Sequence, residues 1–479
     1  MGALLGLAAL FSPVSSRVGI PMLLLFLGIG MAAGSGGIGG IEFDDYGLAF
    51  RLGTLGLVAI LFDGGLNTPF PALERALLPA ASLATIGVVL TAAVIAGVGL
   101  LLGLPPPLAV LIGAIVSSTD AAAVFSVMRS GGIRLREPLK GILEVESGLN
   151  DPMAVALTVI ATEWALTTSP PGLGLLLSLL QQFGLGVVGG IGFGLAGRAL
   201  LRLVPLPAVG LYPVLSAALA LSAFGGTSLV GGSGFLAVYL AGVVLGKGPL
   251  PYRAGLRRVH DALAWLAQML MFLMLGLLVF PGRLLQDAPL GITLALALAV
   301  FARPLAVLAT LSPFTLPWRH RILLAWVGLR GAVPIVLAAY PVLRGLPAAE
   351  RTFHLVFFVV LVNAFLPGAT EGWAARRLGL ALPLPPEAPA GIDLVTARDY
   401  AGEFVWYQVM PPAVVVDSLV SEIPVPERCV IVFLVRGETI VPARGSTRLE
   451  KADHVCVFVD PKDRRLLDLL FGFAERAED

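Results

Sequence analysis

The stretch Glu146-Ser147-Gly148-Leu149-Asn150-Asp151-Pro152 runs directly into Met153-Ala154-Val155-Ala156-Leu157-Thr158-Val159-Ile160. Two carboxylates, a carboxamide and a hydroxyl thus stand in a segment greasy enough to lie in a bilayer. A charged side chain near the bilayer centre costs roughly 2.5–3.5 kcal/mol on insertion scales, so groups kept there mark ion or proton pathways. If the stretch is helical, Ser147 and Asp151 share one face, and Glu146 and Asn150 share a neighbouring stripe. Gly148 and Pro152 are expected to loosen the helix here, because proline removes a donor and clashes with the preceding turn. Asp151 is read as the chemically active acid and Glu146 as one half of an ion pair.

The composition supports the bilayer. Of 479 residues, 57% are hydrophobic and only 13% charged, at a mean hydropathy of +0.91. Soluble proteins carry about 25% charged residues, so the chain belongs to the membrane class. A net charge of +1 says nothing about partners, and no nucleic-acid contact is expected. The 57 glycines and 36 prolines suit helices that pack closely and are broken in places. Cys429 and Cys456 form no metal-site spacing and read as buried free thiols. The amino terminus has no basic segment ahead of its apolar run, so no cleaved signal peptide is expected.

Spans of about 20 apolar residues fall near 1–15, 19–33, 46–66, 76–103, 107–128, 138–166, 171–204, 208–226, 233–247, 259–280, 288–312, 320–343 and 351–378, thirteen in all. Cytoplasmic loops should carry the excess Lys and Arg. Arg17, Arg75, the group Arg129, Arg134, Arg136 and Lys140, then Arg198 and Arg202, then Lys247, Arg253, Arg257 and Arg258, then Arg319 and Arg321, and last Arg376 and Arg377 all fall in alternate loops. That places the N-terminus outside and the C-terminus in the cytoplasm, as expected of a multi-pass protein of the cell (inner, plasma) membrane. Arg344 and Arg351 are exceptions at the outer ends of spans 12 and 13.

An odd span in the middle makes spans 1–6 and 8–13 start on opposite sides, so they can be inverted six-helix repeats. Such repeats, with broken helices at the midplane, mark secondary transporters. The expected breaks are in span 5, within Gly113 to Phe125, which carries Thr119-Asp120 at its middle, and in span 12, within Trp326 to Ile335, which carries Arg330 between Gly328 and Gly331 with Pro334 following. Each is the fifth span of its half. An acid at one and a base at the other would offset the dipole ends meeting there.

After 1–380 the character changes. Residues 381–391 read as a proline-rich linker. Residues 392–479 carry alternating strand-like runs at 404–409, 429–435 and 454–459 and a closing amphipathic helix at 462–471, a small cytoplasmic α+β domain of about 85 residues.

Several side chains have two readings each. Asp63, near the inner end of span 3, is a water-satisfied helix end or part of a cytoplasmic funnel. Thr119-Asp120 caps a half-helix or contacts an ion. Asn150 is an ion ligand or pins a helix break, and Ser147 is an oxygen ligand or a satisfied core serine. Arg303 and Arg330 lie deepest in spans, so each implies a buried acid, with Glu146 the candidate for one of them. His260, His320 and His354 read as interfacial. The run 265–272 reads as core packing or lipid contact.

Together, Glu146 to Asp151, Ser118 to Phe125, Phe62-Asp63-Gly64-Gly65 and Gly328 to Pro334 resemble the monovalent cation:proton antiporters of the Asn-Asp type, and among them the bacterial NhaP/CvrA-type potassium/proton antiporters. The tail, notably Pro442 to Leu449 followed by Asp453, is similar to their TrkA-C (RCK C-terminal) domain. The resemblance implies a polytopic α-helical homodimer with spans 5, 6, 12 and 13 in a mobile core. It implies no enzyme activity and no cofactor, and exchange of K+ for H+ one for one. Asp151 and Asn150 would be central. Asp120, Thr119 (through its carbonyl), Ser147 and Asp63 would complete the cation site, and Glu146 would pair with Arg330 or Arg303. Position 63 is Asp where many sodium-transporting relatives have Glu, which leaves Na+ or Li+ for H+ as the alternative. A cation channel gated by the TrkA-C domain is a remote one, since no Thr-Val-Gly-Tyr-Gly filter is present. The tail would bind a small molecule or nucleotide.

Overall fold

In lipid every backbone polar group must find its partner within the chain, so the apolar spans become helices. The computed structural model describes residues 1–18, 22–68, 70–167, 172–247, 250–279, 281–347, 349–384, 402–411, 413–437, 439–460 and 462–471. Helices α1 (Gly2–Val18), α2 (Met22–Ala33) and α3 (Tyr46–Asn67) form the first three spans. The fourth is α4 (Phe70–Ser82), a π-helical turn (Leu83–Gly87) and α5 (Val88–Leu101). Span 5 is broken between α6 (Pro106–Ile115) and α7 (Ala121–Ser130), and span 6 is α8 (Leu139–Thr167). Then come α9 (Leu173–Leu203), α10 (Leu211–Leu229), α11 (Gly234–Gly246) and α12 (Arg253–Leu277). Span 11 is α13 (Pro281–Ala297), a second π-helical turn (Leu298–Ala302) and α14 (Arg303–Leu311). Span 12 is broken between α15 (Trp318–Trp326) and α16 (Val333–Leu343), and α17 (Ala349–Arg377) is the thirteenth. Among the described residues, seven helices are long and apolar enough to cross a membrane by themselves.

The irregularities repeat with a period of seven spans. π-Helical turns fall in spans 4 and 11, breaks in spans 5 and 12, and α8 and α17 are both 29-residue helices with one internal proline, Pro152 and Pro367. An odd offset reverses direction across the bilayer, so the two halves are inverted copies. The second π-helical turn precedes Pro304, whose missing N–H breaks the regular ladder and resets the rotation of α14. The expected loosening at Gly148 and Pro152 does not interrupt α8, which runs through both. The two cationic exceptions are each matched by an acid. Arg344 lies 2.6 Å from Glu163 of α8, and Arg351 lies 3.0 Å from Asp287 of α13.

Two groups of helices can be distinguished by their packing. Helix α11 is the hub of one, against α3, α9 and α10, while α8 packs with α4 and α6 in the other. The α3/α11 contact is backbone to backbone: a methyl group on Gly242 would stand 2.6 Å from the Phe62 carbonyl oxygen, and one on Gly246 2.5 Å from that of Leu66. Small residues permit such an approach between spanning helices.

The chain divides into two compact units, the first ending at Pro383 and the second holding the chain beyond it with a short stretch at 249–255. The start of the expected linker is structured. Strand β2 (Ala381–Pro383) pairs antiparallel with β1 (Ile133–Leu135), whereas residues 385–391 lie outside the described residues.

The second unit is a four-stranded antiparallel sheet, β3 (Glu403–Gln408), β6 (His454–Val459), β4 (Val430–Arg436) and β5 (Thr439–Pro442) in spatial order. Helix α18 (Arg464–Leu470) closes the unit. Leu467 and Phe471 join Tyr407, Leu434, Val455, Val457 and Val459 in its core. The Tyr407 ring stacks on Phe471 at 4.5 Å, and its hydroxyl donates to Asp468. Arg436 holds the sheet's far turn: Nε and Nη2 donate to the two oxygens of Asp453 at 2.9 and 2.8 Å, and Nη2 also donates to the Arg448 carbonyl. Asp453, 1% exposed, additionally accepts from the Glu450 N–H. Both cysteines are free and buried, and desolvation pushes the Cys456 thiol up to about 11.

Candidate functional site

The two breaks meet at one backbone bond: the Asp120 N–H donates to the Leu329 carbonyl at 2.9 Å. Asp120 caps α7, its Oδ1 accepting from the Ala123 N–H at 3.1 Å, as a short acid does at a helix start. Its other oxygen leans on Gly331, where a methyl group would fall on Oδ2. The glycine in the second break is therefore the space into which the acid of the first break fits.

Helix α8 is keyed to the same crossing by three side chains. Ser147 Oγ accepts from the Ala121 N–H at 3.2 Å. Asn150 Nδ2 donates to Thr119 Oγ1 at 2.6 Å and leans on the Thr119 carbonyl at 3.4 Å. Thr119 Oγ1 in turn reaches Glu146 Oε1 at 3.4 Å. Six of the nine sequence-predicted residues, Thr119, Asp120, Glu146, Ser147, Asn150 and Arg303, thus join in contacts around the break in span 5.

Glu146 is 1% exposed and takes both its oxygens to Arg303, at 2.5 Å to Nη1 and 3.0 Å to Nη2. The expectation of Arg330 or Arg303 resolves to Arg303. Arg330 differs from the expectation: at 2% exposure its three guanidinium nitrogens have no hydrogen-bond partner, and no acid forms an ion pair with it among the described residues. It lies in the break of span 12, between α15 and α16.

Asp151 is the remaining acid. It is 6% exposed, and its Oδ1 has no hydrogen-bond partner among the described residues. It lines a cavity of about 550 Å³ together with Asp63, Asp120 and Ser147. Asp63 accepts from Asn67 Nδ2 at 2.8 Å and faces this cavity from α3. The exposed Arg129, Arg258 and Asp261 line the same cavity, so it leads from the surface down to Asp151.

Sequence reasoning missed part of the wall. Tyr239 of α11 and Asp261, Trp265 and Gln268 of α12 all line the cavity. Gln268, 92% buried in an apolar helix, carried the available signal: a carboxamide seven residues from Asp261 and three from Trp265 marks one helix face. The run 265–272, read as packing or lipid contact, contributes to the funnel. His260 and His354, both read as interfacial, are buried within the protein. His260, 2% exposed, meets Ser216 at 2.7 Å, and His354, 8% exposed, meets Asp287 at 3.1 Å.

Thirteen spans with two crossing breaks, and buried acids at the foot of an open cavity, define a secondary transporter. The chain belongs to the family described as sodium/hydrogen exchanger, transmembrane, which matches residues 6–377, and the TrkA-C domain matches residues 404–472. It is 41% identical over 487 aligned residues to the K(+)/H(+) antiporter NhaP2 of Shewanella sp. strain MR-4, covering 100% of this chain and 84% of that protein. It is 39% identical to the K(+)/H(+) antiporter NhaP of Alkalimonas amylolytica, covering 97% of this chain and 81% of that one. Among solved structures, the sodium proton antiporter MjNhaP1 of Methanocaldococcus jannaschii at pH 8 superposes with a TM-score of 0.68 at 26% identity, over 79% of this chain and 97% of that chain.

Proposed function

We propose that this protein exchanges one monovalent cation, K+, for one proton across the cell membrane, both competing for the carboxylate of Asp151. The observation that carries the reading is charge balance in the buried crossing. Asp120, Glu146 and Asp151 supply three negative charges there, and Arg303 and Arg330 supply two positive ones. One net negative charge is left among these five residues, and of their three acids Asp151 is the one with an oxygen lacking a hydrogen bond among the described residues. Moving that charge uncompensated through a low-dielectric layer is prohibitive; a bound proton or a bound monovalent cation removes it. Exchange at a fixed one-to-one ratio follows from competition alone.

Asp151, Ser147, Asp63 and the Thr119 carbonyl are the oxygens offered to the cation, with Asp120 close by and Asn150 orienting Thr119. Potassium is supported by the names of the relatives that match nearly the whole chain. Sodium is the second reading, favoured by the solved neighbour, a sodium proton antiporter. The basic loops support an outside N-terminus, a cytoplasmic C-terminus and hence a cavity open to the cytoplasm. The homodimer, the boundary between a membrane domain at 1–380 and a regulatory domain at 392–479, and a small-molecule or nucleotide ligand for the latter rest on the resemblance and on the TrkA-C match.

The test is dequenching of a pH-sensitive dye in vesicles bearing the full chain, with K+, Na+, Li+ and Rb+ added in turn. K+ should produce the largest response, and Asp151→Asn should abolish it. Wild-type exchange by Asp151→Asn overturns the assignment of the acid, and a response to Na+ and Li+ alone overturns potassium.

A further inference from the structure

A close contact between the two helix groups falls inside the Glu146–Asp151 stretch itself. A methyl group on Gly148 would lie on the Tyr239 ring, overlapping Cε2 and Cζ and standing 2.6 Å from Cδ2. The ring is 1% exposed and the backbone behind it is pinned: a methyl group on Gly65 of α3 would fall on the Tyr239 carbonyl oxygen. Helix α3 therefore backs α11, and α11 presents a rigid ring to α8. The same two fixed helices carry Asp63 and Tyr239 to the cavity that Ser147 and Asp151 line from α8.

We propose that Tyr239 is a positioning residue, the fixed abutment on which α8 seats so that Ser147 and Asp151 stand at the cavity with the spacing that cation binding needs. A glycine at 148 gives direct contact between helix backbone and flat ring, with no side chain to interlock. The face slides while its depth stays set, which suits a site that must be registered against one wall and then leave it. Any side chain at 148 has two outlets. Either α8 moves back, carrying Ser147 and Asp151 away from Asp63, or the ring swings into the cavity and narrows the approach to Asp151. Both weaken cation binding before they alter the chemistry of the acid, since misplacement of a bound group by about 1 Å costs up to about a hundredfold.

The inference rests on the exchange reading, and the experiment separates the two. In vesicles bearing the full chain, the apparent KM for K+ and the maximal rate are measured for four variants beside wild type. Gly148→Ala should raise KM by about tenfold or more. Adding Tyr239→Ala to Gly148→Ala should bring KM back to that of Tyr239→Ala alone, because the obstructing ring is gone. Tyr239→Ala by itself should raise KM by about fivefold, and Tyr239→Phe, which keeps the ring, should restore it. A wild-type KM for Gly148→Ala, or a double variant no better than Gly148→Ala, overturns the proposal. Should Gly148→Ala fail to fold, an unchanged KM in Tyr239→Ala does so instead. Asp151→Asn is run alongside. Loss of exchange in Asp151→Asn without rescue of Gly148→Ala removes the abutment alone, whereas exchange surviving in Asp151→Asn removes the underlying reading.

Discussion

Arg303 and Glu146 form a two-point ion pair, 2.5 and 3.0 Å, at 4% and 1% exposure, joining the helix after the second π-helical turn to the helix that carries Asp151. Fork-to-fork geometry satisfies both carboxylate oxygens and leaves Arg303 Nε beside Gly328. The pair ties span 6 to span 11, and through Thr119 it reaches the break in span 5.

A buried pair of this kind is expected to hold the frame. Glu146→Gln leaves a buried guanidinium without its partner, which costs roughly 3–5 kcal/mol. Thermal melting of the detergent-solubilised protein should drop clearly. Lost exchange at an unchanged melting temperature would show instead that Glu146 takes part in the transport step.

The two glycines of the second break should differ in sensitivity. A methyl group at Gly331 lands on the Asp120 carboxylate, while one at Gly328 meets Arg303 Nε at 3.2 Å, a distance a small side-chain shift can relieve. Gly331→Ala should lower exchange by about tenfold or more, from misplacement at the crossing, with Gly328→Ala milder. The reverse order in a vesicle assay would mean that Asp120 and Gly331 do not meet in the working protein.

In the C-terminal unit, Arg436 is the one cation donating to buried Asp453 among the described residues. Arg436→Ala leaves Asp453, among the described residues, with the Glu450 N–H alone, a loss of about 1–3 kcal/mol. Hydrogen exchange on the full chain should speed up across 430–459 and remain unaltered in α8. Unchanged protection in β4 and β6 would contradict the role given to this network.

Much of this architecture was legible in the residues because lipid imposes few choices. A bilayer demands about 20 apolar residues per crossing, so all thirteen spans could be placed. The breaks were legible too, since Thr119-Asp120 and Gly328 to Gly331 put polar or flexible residues where a regular helix has no use for them. The partner of Glu146 was not legible. Arg303 and Arg330 both lie deep in spans, and the choice depends on how the π-helical turn before Pro304 rotates α14. Tyr239 gave no signal in the residues, because its meaning comes from Gly148, ninety-one residues away in sequence. Strand β5 escaped notice because it has four residues and ends in Pro442, as an edge strand can. The Arg436–Asp453 contact exists only once β4 and β6 have paired.

The most direct test of the central claim is the apparent KM for K+ measured across a pH series in vesicles. If cation and proton contend for one carboxylate, KM rises as pH falls, approaching about tenfold per pH unit on the acid side by mass action, while the maximal rate stays constant. A KM indifferent to pH, with a maximal rate that falls in acid, would contradict a shared site at Asp151.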